Sequence, residues 1–441
     1  MGMFSPLRLA AAILVLPLMV LPARAVDIQE VTSPNGQVFW LVEEPSIPIV
    51  SIEIGFLGGG RLDAPEETGL TNFAIALMTE GSGELDAVAW AKRADDISAR
   101  ISVSSRSDQV DVSARFLTEE LDSSTEFLAT TLVMPRFDAG AVERVRGQIL
   151  SAIASAETNP DDIASNTWWA RAFPEHAYGR DKNGTAETVK AFTTEDFRRA
   201  HARLLTRSNA FVAIVGSIDA ERAGRMVDRV LEGLPQGAKH EPEFVGNTPP
   251  AGVHVVDLDV PQSVAIFGHA GIPRTDPDFI PAYVMNYVLG GGGFTSRLTE
   301  EVREKRGLAY SVYSYPYVLD ESWLYLGGVQ TANERIAESL DVIRAEWARM
   351  AKDGVTEQEL KDAKTYLTGS FPLRFDSNSK IAGFLLFAQM ADLGIDYINK
   401  RNGLIEAVTL DDVNRAAARL LDPAKLSIVV VGKPVGLTPT E

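Results

Sequence analysis

The sequence has no cysteine. That excludes disulfides, thiolate zinc sites, iron–sulfur clusters, a cysteine nucleophile and a cysteine-borne lipid anchor. Histidine is scarce too. His176, His201, His240, His254 and His269 are the full set, and no two lie within ten residues. None has the i, i+4 partner with which a helix chelates a metal. Each reads as a single surface or core histidine, and His176, in the stretch EHAYGR, as a structural part of its loop. Positive charge is the minority sign, 42 Lys and Arg against 60 Asp and Glu, for a net charge of −18. That balance argues against a sequence-independent grip on nucleic acid or anionic lipid.

Long apolar runs are absent as well. Leu9–Leu21 is uncharged over 13 residues, short of the roughly 20 that span a bilayer, and Pro17 and Pro22 interrupt the segment. Arg8 precedes it and Ala23-Arg24-Ala25 follows, the tripartite pattern of a secretory signal peptide over residues 1–25, with cleavage expected after Ala25. The mature chain is therefore expected to be exported and soluble, in a bacterial periplasm, with no membrane anchor. A chain without thiols suits such an oxidising compartment.

What is present is a globular composition, 45% hydrophobic and 23% charged over 441 residues, long enough for two domains. The chain is internally duplicated. Thr193–Gly216 aligns without gaps on Thr409–Gly432, with ten of 24 positions identical, Arg199/Arg415, Leu204/Leu420 and Gly216/Gly432 among them. Each copy reads as a helix with a Thr N-cap and an acidic first turn, leading into a buried strand, Phe211–Val215 or Leu426–Val431. Upstream, Asp138 and Thr356 are expected to cap paired amphipathic helices, Thr356 with Glu359 as a capping box. Leu121, Leu128 and Leu132 pair with Ile336, Leu340, Ile343 and Trp347, and Ile101–Ser105 with Tyr310–Ser314 as strand-like stretches. The expected fold is α+β: two tandem homologous domains, each a mostly antiparallel sheet covered by helices on one face. The boundaries fall at 26–234, a Pro- and Gly-rich linker 235–251, 252–433 and a tail 434–441.

Three stretches carry a resemblance: Gly58–Ser82, Phe173–Phe197 and, most specific, Gly290–Tyr315 (GGGGFTSRLTEEVREKRGLAYSVYSY). With the duplication, they make the chain similar to the pitrilysin/insulinase family of zinc peptidases, in its two-domain, processing-peptidase-like branch. The resemblance implies that metallohydrolase-like fold. The family's zinc helix carries His-x-x-Glu-His, two ligands on one face and a Glu that polarises water. Here those positions read Asn72, Ile75 and Ala76. The stretch matching the family's third ligand is Gln148–Ala152, without a carboxylate, and the nearest acids, Glu143 and Glu157, are off by a turn or more. No metal is expected in this chain.

The resemblance also implies an Arg and a Tyr, seven residues apart, reaching from the second domain of such proteins to a zinc site. Arg303 and Tyr310 fit that spacing. A Tyr hydroxyl stabilises a tetrahedral intermediate as an oxyanion donor does, and Arg offers planar paired donors to a backbone carbonyl. Read by chemistry alone, Arg303 belongs to the charge run VREKR on a solvated helix face and Tyr310 to a strand start. Gly290–Gly293 lacks the Lys-Ser/Thr of a phosphate loop and follows the helical stretch Ala282–Leu289. It reads as a turn that admits an extended chain, and Gly58–Gly60 as a turn or bulge. No Ser-His-Asp set stands out.

The resemblance therefore implies the zinc-free subunit of a heterodimeric exported metallopeptidase. A homologous subunit with the full motif would hold the zinc, and peptides or unfolded segments would be the substrate. The alternative is a stand-alone peptide-binding or scaffold pseudoenzyme.

Overall fold

The computed structural model describes residues 27–246 and 249–440. The expected signal peptide lies outside the described residues. Thr193 opens the helix Thr194–Leu204 and Thr409 the helix Leu410–Leu420, each with a reciprocal capping box. Asp196 and Asp412 accept the N-cap amides at 2.8 and 3.0 Å. The repeat extends to tertiary pairing. Arg199 and Arg203 reach Glu67 and Asp63, both at 2.7 Å. The equivalent Arg415 and Arg419 reach Asp278 and Asp276 at 2.9 and 2.7 Å. Thr409→Ala should cost about 1 kcal/mol of stability, read as a lower urea midpoint at unchanged slope. An unmoved midpoint would show that the cap contributes nothing.

The strands are β1 (Gln29–Thr32), β2 (Val38–Glu43), β3 (Ile49–Leu57), the short pair β4 (Gly81–Ser82) and β5 (Leu85–Asp86), β6 (Arg100–Ser105), β7 (Gln109–Leu117), β8 (Ala210–Gly216), β9 (Gly252–Asp257), β10 (Gln262–Ala270), β11 (Ser311–Val318), β12 (Trp323–Ala332) and β13 (Ser427–Gly432). The first sheet runs β1-β2-β8-β3-β7-β6 and the second β11-β12-β10-β13-β9. Among the described residues only β2–β8 and β9–β13 pair in parallel. The halves are thus two copies of one α+β design, as the duplication predicts. Between Leu234 and Gly252 the described residues form no helix or strand.

In each half the domain's own helices cover one face of its sheet. Leu121, Leu128, Val145, Ile149 and Phe197 pack on the first sheet, and Leu340, Trp347, Leu360 and Val413 on the second. The opposite face is closed by a helix from the other half. Asn378–Met390 lays Ala382, Leu385 and Leu386 on Trp40, Val42, Ala213 and Val215 of the first sheet. Pro160–Ala172 lays Ala164 and Trp168 on Val264, Leu326, Val429 and Val431 of the second. Two mid-strand glycines admit these helices. A Cβ on Gly55 of β3 would lie 2.3 Å from the Met390 sulfur, and one on Gly268 of β10 would lie 3.0 Å from the Trp168 ring. The exchange explains why β8 and β13 are nearly continuous apolar runs, with Ser427 the one polar side chain: strands buried on both faces do not alternate.

An ionic cluster closes the seam between halves. Arg61 meets Glu321 at 2.5 Å and lies 3.5 Å from Asp108. Tyr178 donates to Asp108 at 2.5 Å, and His176 Nε2 lies 3.1 Å from Glu321. Burial raises the Asp108 carboxyl, lowers His176 and pushes Asp320 up to about 6. His176 Nδ1 also accepts the Tyr178 amide at 3.2 Å, which fixes its own turn. Two local expectations differ in detail. Asp138 precedes the helix Ala139–Ala156, but its carboxylate accepts from Arg136 at 2.7 Å instead of capping. The helical stretch before Gly290 is α over Phe279–Asn286 and then widens to a π turn, Tyr287–Gly291.

Candidate functional site

The helix Leu70–Ala76 keeps its mounting. Gly69 precedes it at φ +92°, and a Cβ there would lie 2.7 Å from the Asn183 backbone. Thr71 donates to Asp63 through its amide (3.0 Å) and hydroxyl (2.6 Å), and Asp63 is held in turn by Arg203. The ligand positions do not keep their chemistry. Asn72 donates to Asn183 Oδ1 at 3.1 Å and accepts from the Ser105 hydroxyl at 3.3 Å. Ile75 is 2% exposed and belongs to the first core. Ala76 is exposed. Gln148 and Ser151 are exposed, and Glu143 pairs with Arg146 at 3.1 Å.

An amide, a buried alkyl chain and a methyl do not fit zinc, which takes His, Cys or carboxylate donors. Among the described residues no group of three His, Asp or Glu side chains is placed to hold a metal. Instead a small recess of about 30 Å³ opens over Asn72, lined by Thr68, Ser105, Arg106, Arg180 and Lys182. The other histidines are dispersed. His201 Nε2 meets the Leu132 carbonyl at 2.7 Å, and His269 accepts from the Trp347 indole at 3.1 Å.

In the second half the two sequence-predicted residues come together. Arg303 lies in a π-helical turn, Thr299–Glu304, and Tyr310 just before β11. Such turns recur at functional sites, because the extra residue re-aims side chains. The Arg303 guanidinium carbon is 4.8 Å from the Tyr310 ring centroid, a cation–π distance. It is also 4.7 Å from the ring of Phe294. Tyr310 is 83% and Phe294 72% exposed. Charge-run neighbours behave otherwise. Lys305 and Arg306 both engage Glu301, at 2.7 and 2.6 Å. Sequence reasoning missed Phe294; the signal available was a large apolar residue directly after four glycines. It also missed a stripe of tyrosines. Tyr313, Tyr315 and Tyr317 alternate along β11, a sheet edge, and Tyr317 meets Trp169 at 5.5 Å. Burial pushes Tyr315 up to about 12.

Duplicated halves that exchange helices, with a mounted helix whose motif positions read Asn72, Ile75 and Ala76, define a peptidase-like fold. Residues 38–186 match the Insulinase (Peptidase family M16) domain, and residues 191–367 the peptidase M16 inactive domain. The chain belongs to the M16 family. It is 28% identical over 360 residues to a protein of Helicobacter pylori named "Non-peptidase homolog YmxG", covering 81% of this chain and 83% of that one. It is 28% identical over 417 residues to an uncharacterized zinc protease of Streptomyces coelicolor, covering 92% and 89%. Its fold is similar to the crystal structure of an M16 inactive domain from Pseudomonas fluorescens, at TM-score 0.88 and 27% identity over 94% of this chain and 100% of that one. A protease from Helicobacter pylori shares the fold at TM-score 0.82 and 18% identity, over 92% and 99%.

Proposed function

We propose that this chain is the zinc-free subunit of a heterodimeric, exported M16 metallopeptidase. A homologous subunit carries the complete His-x-x-Glu-His helix and the zinc. This chain supplies Arg303 to the substrate backbone and Tyr310 to the developing oxyanion. One observation carries the reading: the part-exposed Arg303 lies over the ring of the solvent-exposed Tyr310 in a chain whose own ligand positions are Asn72, Ile75 and Ala76. A fold maintained only as a scaffold has no use for a stacked Arg–Tyr pair presented outward. Substrate is an extended peptide or unfolded segment, which can add a strand to an open sheet edge; backbone hydrogen bonds then give affinity.

Two measurements test the reading. The purified mature chain should contain no stoichiometric zinc by elemental analysis and hydrolyse no peptide. One tightly bound zinc per monomer would overturn that part. Co-expression with an exported homologue bearing the complete motif should give one heterodimer peak in size-exclusion chromatography, and peptide hydrolysis absent from either chain alone. Two separate monomer peaks at micromolar concentration would favour the scaffold reading.

A further inference from the structure

We propose that Phe294 is a third member of this site, a positioning residue that clamps the Arg303 guanidinium against Tyr310. The proposal rests on the reading of Arg303 as the group that holds a substrate carbonyl. Phe294 is exposed and buries nothing in the core, so packing does not account for a large apolar side chain here. Its turn is fixed. Gly293 is at φ +56°, the Thr295 hydroxyl donates to the Gly292 carbonyl at 2.9 Å, and the Ser296 hydroxyl donates to the Gly293 carbonyl at 2.8 Å. A Cβ on Gly290 would lie 2.7 Å from the Ser314 amide, so the loop is pressed onto β11. Phe294 is therefore delivered to Arg303 by an ordered turn.

The way Arg303 is held matters. Lys305 Nζ and Arg306 Nη1 donate to the Glu301 carboxylate. Arg303 is fixed by two ring faces, at 4.7 and 4.8 Å. A guanidinium's donors lie in its plane, so aromatic rings in contact with it restrain the group without accepting its N–H hydrogen bonds. Glu304 lies 3.3 Å from Nε; among the described residues no hydrogen bond is made by the Nη atoms, which leaves them for a substrate carbonyl. Without Phe294 the long side chain must be ordered each time a peptide binds, and affinity falls.

The test has two arms. In the first, the ¹⁵Nε–¹Hε resonance of Arg303 is followed in the isolated, arginine-labelled mature chain, assigned through Arg303→Lys. It should be shifted upfield by the rings. Phe294→Leu should move it toward the free-arginine position, and Phe294→Trp should restore the shift. A resonance that Phe294→Leu leaves unmoved overturns the clamp. In the second arm, Phe294→Leu in the assembled complex should raise KM by roughly fivefold, the scale of one cation–π contact. The turnover number should change little, and Phe294→Trp should recover KM. An unchanged KM in an active complex also overturns the proposal. If the wild-type complex is inactive, the proposed function fails, and the resonance still decides the clamp.

Discussion

Tyr310→Phe in the assembled complex should slow peptide turnover by on the order of 10²-fold or more, about 3 kcal/mol of transition-state stabilisation. The substitution deletes one hydroxyl and keeps the ring 4.8 Å from Arg303, so the stack and its geometry persist. KM should change little, because an oxyanion donor acts mainly when charge develops on the carbonyl oxygen. Arg303→Ala should differ. It removes a ground-state contact as well, so KM should rise while turnover falls. Folding should survive the Tyr change: the side chain is 83% exposed, and surface changes of this kind move stability by about 0.5 kcal/mol or less. Thermal unfolding of the single subunit checks this. If the Tyr310→Phe complex cleaves peptide at the wild-type rate with zinc and assembly intact, Tyr310 is not catalytic and the scaffold reading gains.

The duplication was legible because capping is local chemistry. Thr193 with Asp196 and Thr409 with Asp412 write helix starts directly into the sequence. The same holds for Thr356 with Glu359. Asp138 shows the limit of that signal, since Arg136, two residues back, competes for its carboxylate. The departure from the zinc motif was legible at Asn72, Ile75 and Ala76, because donor type is a property of the residue. Its consequence was not. Only the three-dimensional packing reveals that Ile75 has joined the core and that Asn72 bonds to Asn183, 111 residues away. The Arg303–Tyr310 spacing came from the resemblance, and the stack came from the π turn, which the sequence TEEVRE does not distinguish from an ordinary helix. The helix exchange had no local signature at all. Its one trace was the lack of polar alternation in Phe211–Val215 and Leu426–Val431, where Ser427 is the one polar residue, a pattern that also fits a strand buried inside one domain.

That exchange should dominate stability, and Trp168→Ala should show it with a loss of about 4 kcal/mol. Trp168 sits on a first-half helix and is buried in a second-half cluster with Val264, Leu324, Leu326, Val429 and Val431. Its indole donates to the Ser427 carbonyl at 3.1 Å. Truncation leaves a cavity lined by strands that hydrogen bonding holds in register, so the site has little freedom to collapse. It also strips a buried carbonyl of its donor, a further penalty of about 1 kcal/mol or more. Gly268 marks how closely the ring is fitted, since a Cβ there would stand 3.0 Å from it. The second sheet depends on this helix to cover β10 and β13, so the damage should spread beyond the mutated half. Urea unfolding followed by circular dichroism should show a lower midpoint, with the second half opening before the first. Limited proteolysis should then cut first within residues 252–433. A midpoint shifted by less than about 1 kcal/mol, well under the range for buried aromatic truncations, would mean that the exchanged helix is a passenger and that each half is stable on its own.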